Sequence, residues 1–126
     1  YTLEFTQSTP PSATTPDPAP LVIPIAVGLI APDGSEAMPT QILELTQASQ
    51  TFTFPGLNTK PVPSILRGFS APVVLEREVS QSERAFLLAH DTDPFNRWDA
   101  GQRYLERVIL ALAREAAAGE AHYVLP

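Results

Sequence analysis

Among the side chains of this sequence whose types could do acid–base, nucleophilic or metal chemistry, those to weigh are the two histidines, His90 and His122, the carboxylates Glu76 and Glu78, and Ser64 and Ser70. A protein zinc site needs three or four ligands at set spacings, and neither histidine is accompanied by them. His90 falls near the end of a short helical pattern, where an imidazolium favours the negative end of the helix dipole. Glu76 and Glu78 resemble a glycosidase pair in kind only, because with Arg77 between them on a period-two run both point outward, where charges guard a sheet edge. No His and acid stand in a triad arrangement with either serine. Trp98 could stack a sugar or a base, but it shares an apolar helical stripe with Phe95 and Leu105 and reads as a packing anchor. No residue is assigned a catalytic or metal-binding role.

The elements that would have to position these groups fit in one ordinary domain length. A chain of 126 residues can bury roughly 65% of the surface that its unfolded form exposes. The absence of cysteine excludes a disulfide scaffold and any thiolate metal site. A formal charge of −6, with Lys60 the single lysine among 8 basic residues, argues against nucleic acid as a partner. The longest apolar run, Leu21 to Ala31, contains Pro24 and Gly28 and is too short to span a bilayer. Tyr1 opens the chain inside an alternating apolar pattern, which reads as a cut.

Proline divides the sequence, with 12 of 14 at or before Pro72. Tyr1, Leu3 and Phe5 alternate with polar residues as in a half-buried strand. Ser8 to Pro20, holding five prolines, is expected to be an exposed loop. Leu21, Ile23, Ile25, Val27 and Leu29 repeat at period two, and Pro32-Asp33-Gly34 supplies a turn. Pro24 places that strand at an edge or a bulge. Further strands are expected at 40–47, 50–54, 64–70 and 73–79, with Leu3, Phe5, Ile23, Ile25, Phe52 and Phe54 facing inward. From Ser80 the period becomes helical. Ser80 or Ser82 caps a short helix carrying Phe86, Leu87 and Leu88, and Asp93-Pro94 starts a long one. Phe95, Trp98, Gln102, Leu105, Ile109 and Leu112 form its apolar stripe up to a stop at Gly119, and Asp99 and Arg103 pair four residues apart.

The run Pro61-Val-Pro-Ser-Ile-Leu-Arg-Gly-Phe-Ser-Ala-Pro-Val73, then Phe95-Asn-Arg-Trp-Asp-Ala100 and Gln102, resembles the bacterial aminopeptidase N family of zinc metallopeptidases. Tyr1-Thr-Leu, Gln47-Ala-Ser-Gln-Thr-Phe52 and the proline-rich loop stand in the same order as in that family, so the resemblance covers the whole chain. It implies a mainly β architecture with C-terminal helices: an immunoglobulin- or fibronectin-like antiparallel β-sandwich over 1–79, followed over 80–126 by the first helices of an α-helical superhelix. These would be the third domain of the parent enzyme and the opening of the fourth. The family's catalytic signatures, His-Glu-x-x-His and Gly-x-Met-Glu-Asn, are absent, since no His-Glu dipeptide occurs and Met38 is followed by Pro39.

The resemblance therefore implies a non-catalytic module, inactive alone and without a cofactor of its own, in a cytoplasmic parent that holds zinc and removes N-terminal residues from peptides. Its partners would be the remaining parental domains, with no nucleic acid and no membrane. Arg67, Gly68, Phe69, Phe95, Arg97, Trp98 and Asp99 are the candidate interdomain or structural residues. Arg67 either reaches the neighbouring catalytic domain or is a solvated strand arginine. The stripe on the long helix, several hundred Å² of apolar side chain, must be covered, either by folding back on the sandwich or, as the favoured expectation, by a homodimer through Pro94 to Ala118. A free-standing immunoglobulin-like protein- or glycan-binding domain using the Ser8 to Pro20 loop is the alternative, and a small hydrolase ranks last.

Overall fold

The computed structural model describes residues 1–119 of the chain, so that His122 lies outside the described residues. Five strands come first, β1 (Thr2–Thr6), β2 (Ile23–Ile30), β3 (Glu36–Leu45), β4 (Ser49–Thr53) and β5 (Val62–Ile65). A 3-10 turn at Arg67–Phe69 follows, then α1 (Gln81–His90) and α2 (Pro94–Ala117). Every ladder is antiparallel, in two sheets ordered β1-β4 and β3-β2-β5. The chain is thus a pair of antiparallel β-sheets followed by two C-terminal helices.

The period-two residues do what their spacing requires. Leu3 lies opposite Phe52 and Ile25 opposite Leu43, and the inward side chains meet in a core of Ile25, Val27, Leu29, Leu43, Leu45, Phe54, Ile65, Leu66 and Ala71. Leu3, Phe5, Ile23 and Phe52 pack at its margin. β2 differs from the others because both of its faces are covered. Val27 and Leu29 point into this core, while Ile30 enters a second one with Leu87 and Ala100 beneath the helices. A strand buried on both sides reads as a continuous apolar run, which is why Ala26 and Gly28 interrupt the alternation without introducing a polar residue.

β2 is central in its sheet, yet Pro24 costs it no ladder bond to β5, which pairs only with Val27 to Ile30. At Pro24 the strand is locally an edge, and the Ser70 hydroxyl fills the gap, accepting from the Ala26 N–H at 2.9 Å and donating to the Pro24 carbonyl at 3.0 Å. The proline-rich loop is exposed, and its base is tied by Gln7. That amide donates to the Leu21 and Gln47 carbonyls and accepts from the Leu21 N–H.

Three expectations are corrected. The strand over 64–70 stops at Ile65, because Leu66, Gly68 and Phe69 all take positive φ and a left-handed backbone cannot continue a ladder. Residues 73–79 keep the alternation of half-buried and exposed positions without strand pairing; they run extended beneath α1, where Arg77 donates to the Pro63 carbonyl at 3.2 Å. On α2 the packed face is not the large apolar stripe. Ala100, Gly101 and Val108 are the buried residues, whereas Phe95, Trp98, Leu105, Ile109 and Leu112 are exposed.

The reason for that third difference is the close approach of α1. A Cβ on Gly101 would lie 2.9 Å from Leu88 Cδ1, so long side chains on this face would force the helices apart. Small residues hold it, and the stripe lies about a third of a turn further round at 100° per residue. Folding back onto the sandwich therefore does not cover the stripe. The helix ends follow the sequence signals: Ser80 accepts from the Glu83 N–H, Asp93 accepts from the Asn96 N–H with Pro94 after it, and Gly119 stands at φ +76° beyond Ala117.

Leu29 is fully buried and Val74 is 89% exposed. Leu29→Ala is expected to lower the unfolding free energy by about 2–5 kcal/mol, and Val74→Ala to change it by less than about 0.5 kcal/mol, both read from urea titrations of the chain.

Candidate functional site

The polar residues that sequence reasoning left scattered come together where the helices meet the sheet. The left-handed turn at Leu66 swings the Arg67 side chain inward over β2, and its guanidinium ends 7% exposed. A Cβ on Gly28 would coincide with that guanidinium, so glycine is required there by the close approach and not by φ. Arg67 makes a bidentate pair with Glu36, Nη2 to Oε1 at 2.8 Å and Nη1 to Oε2 at 3.2 Å. Nη1 also donates to Thr40 Oγ1 at 3.0 Å, and Nη2 to Asp91 Oδ1 at 3.3 Å. Its Nε is buried with no partner among the described residues.

Asp91, fully buried, carries the network on to the helices. Its carboxylate accepts from the Ser64 hydroxyl at 2.6 Å and from the Asp93 N–H at 3.0 Å. Asn96 donates its amide to Ser64 Oγ at 2.8 Å and to the Ile65 carbonyl at 2.9 Å. Asp93 caps α2 with one oxygen and with the other accepts from the Gly68 N–H at 2.8 Å. Thr92 donates to Glu36 at 2.8 Å. One continuous web thus joins β3, β5, the 3-10 turn, the α1–α2 connection and the first turn of α2. Burial works to raise the pKa of Glu36, but the hydrogen bonds from Arg67 and Thr92 and the Arg67 charge outweigh it and hold the carboxyl below its usual range.

Of the residues singled out from sequence, Arg67 and Gly68 lie in this web, as do Ser64 and the α2 cap Asp93. A solvated strand arginine is not what Arg67 is. Phe69, Phe95 and Trp98 form a surface row instead, with ring centroids 5.8 Å and 6.1 Å apart along it; Trp98 is 58% exposed and lies outside both core clusters. Arg97 is exposed, and Asp99 pairs with Arg103 at 2.9 Å on the surface. His90 ends α1, stacked on Phe86 and filling the space over Gly34. Sequence reasoning missed Gly28, Glu36, Asp91 and Asn96. Gly28 carried a signal as a glycine inside a strand, and Asn96 as part of the run Phe95 to Ala100.

The web is not a metal centre. Among the described residues no group of three or more His, Cys, Asp or Glu could hold a metal ion, and the acids of the web are already committed to Arg67, to hydroxyls and to backbone N–H groups. Zinc does not fit here, and the arrangement offers rigidity in place of reactivity.

Gly28→Ala and Arg67→Met are each expected to cost about 3–5 kcal/mol of stability by leaving buried carboxylate without its cation. The double variant should cost little more than either alone, because both break the same contacts; additive losses in urea titrations would refute the coupling. For Glu36 the folded pKa lies below the ordinary 4.5, so its stabilisation is complete above that value and is lost as pH falls through the folded one. The stability difference between the chain and Glu36→Gln is expected to be constant near neutral pH and to shrink below 4.5.

Comparison with known proteins agrees with this architecture. Residues 1–78 match a family described as a domain of unknown function (DUF3458) with an Ig-like fold, and residues 81–125 match DUF3458_C, described as ARM repeats. The chain is 39% identical over 117 residues to aminopeptidase N of Escherichia coli, covering 86% of the chain and 13% of that protein. With aminopeptidase N of Caulobacter vibrioides it shares 47% over 100 residues, 78% of the chain and 12% of the relative. With that of Haemophilus influenzae it shares 32% over 133 residues, the whole chain and 15% of the relative. The crystal structure of Legionella pneumophila aminopeptidase A in complex with aspartic acid superposes with a TM-score of 0.65 at 34% identity, over 82% of this chain and 12% of that one. The chain therefore spans no more than 15% of the length of these relatives, and the two family matches in succession place it: the chain belongs to the aminopeptidase N family, as its Ig-like β module joined to the opening of its ARM-repeat helices.

Proposed function

We propose that this chain is a non-catalytic structural module of a zinc-dependent aminopeptidase that removes N-terminal residues from peptides, and that it fixes the spacing and direction of the helical region relative to the catalytic domain. The module would end at residue 79 and the helical region begin at residue 80. A cytoplasmic location for the parent belongs to the same proposal and rests on the resemblance alone. Among the described residues no helix is long and apolar enough to cross a membrane.

The observation that carries this reading is the Arg67 web. Its bonds run from the sheet into the first turn of α2, so the helix leaves the sandwich at an angle set by buried, directional contacts and not by a flexible linker. A binding module would present ordered polar groups on its loops, whereas here they are spent inside. Arg67 acts within the module, and Phe69, Phe95, Arg97, Trp98 and Asp99 remain at the surface as the interdomain candidates.

ARM-type repeats bury each helix against the next, and the exposed stripe of α2, turned away from α1, is suited to that stacking. In the parent the remaining domains would cover it. In the isolated chain we place a second copy on it, through the helix from Pro94 to Ala118, as an isologous two-fold pair.

Light scattering across a concentration series tests the stripe. The chain is expected to pass from monomer to dimer as concentration rises, and the variant Leu105→Lys with Ile109→Lys to stay monomeric with an unchanged urea midpoint at low concentration. A monomer at every concentration for both forms would remove the dimer.

A further inference from the structure

Three of the seven basic residues outside the Arg67 web gather around a single cleft. It lies between the extended segment 73–79 and the facing sides of α1 and α2, holds about 220 Å³, and is lined by Arg77, Arg84 and Arg103 among apolar side chains. Three of the eight basic residues of a chain of net charge −6 thus converge on one place. Its walls are Ile65, Leu75, Val79, Leu87 and Ala100.

These charges are poorly answered from within. Arg77 has one carbonyl acceptor, and Glu83 stands no nearer than 4.0 Å. Burial lowers the Arg77 pKa, Glu83, Tyr1 and Asp91 offset part of that, and the neighbouring Arg84 charge opposes them. Arg84 donates through Nη1 to Gln81 at 3.2 Å, while its Nε is buried with no partner among the described residues. Arg103 gives its Nε to Asp99 and, among the described residues, makes no further side-chain bond. Asp91, at the back of the cleft, is already engaged by Ser64, Arg67 and the Asp93 N–H. A buried donor without an acceptor is costly, and although Asp91 and Asp99 also line the cleft, they are bonded to Arg67 and Arg103, so that donors of Arg77 and Arg84 are left suited to an anion from outside.

We propose that this cleft is a binding site for a small carboxylate carried on an apolar stem, the carboxylate lying among Arg77, Arg84 and Arg103 and the stem along Val79, Leu87 and Ala100. The size argues for a small acid. At the roughly 30 Å³ that each water takes up in the liquid, the cleft has room for about seven heavy atoms, below the range of drug-sized pockets. The apolar walls argue against phosphate or sulfate alone, which would leave them wet. The site meets the stripe on α2 at Phe95 alone and does not rest on the role proposed above.

Hexanoate tests it, titrated into the isotopically labelled chain and followed by NMR. Saturable shifts are expected at the Arg84 Nε–H and at the methyl groups of Val79, Leu87 and Ala100. Hexanol, with the same stem and no charge, should leave the Arg84 signal unmoved. Arg84→Gln should weaken hexanoate about tenfold, as loss of one charge-assisted bond does. Should that variant fail to fold, Arg103→Gln, on an exposed side chain, is expected to weaken binding severalfold. Equal effects from hexanol and hexanoate, no saturation, or undiminished affinity in the folded variants would each overturn the proposal.

Discussion

Neutralising the buried guanidinium of Arg67 is the requirement from which much of this structure follows. Solvent has been almost wholly removed from it, and a charge in that position is tolerable only if carboxylates and hydroxyls reach it from several sides. Glu36 comes from β3, Asp91 from the connection between the helices, and Thr40 from further along β3. Gly28 vacates the space above β2 that the group crosses. None of these residues is adjacent in sequence to another, so satisfying one side chain fixes the relation of the sheet to the helices.

The second constraint is steric. α2 approaches α1 closely enough that Gly101 and Ala100 are what fits between them, and the helix must then carry its bulky apolar residues elsewhere. A single long helix with a small-residue face and a separate large-residue face has two neighbours to satisfy. One is α1; the other, under the proposed function, is supplied by the parent or by a second copy. The surface row of Phe69, Phe95 and Trp98 runs from the 3-10 turn onto that second face, so sandwich and helix share one apolar border.

Metal chemistry has no foothold in either region. Acids are present in the junction, but each is consumed by a donor of this chain, and a carboxylate already saturated by a guanidinium and backbone N–H groups is a poor ligand. What the junction supplies is direction, since charge-assisted bonds weaken steeply when bent.

Much of the fold was legible in the chain itself. Period two in residues 1–6 and 21–29, the prolines, the Asp93-Pro94 start and the Gly119 stop are local signals, and each reports a backbone preference that acts over a few residues. They sufficed for strands, loops, helix ends and the inward side of β1, β2 and β4. Residues 64–70 and 73–79 misled because a strand is completed by its partner, and the same alternation persists in an extended segment that has none. The stripe misled because periodicity shows which residues share a face and not which face meets a neighbour; that is decided by how closely two helices can approach. The Arg67 web was illegible for the same reason. Its members lie up to 31 positions from the arginine, and only the folded chain, by removing water from around that charge, determines which acids must answer it.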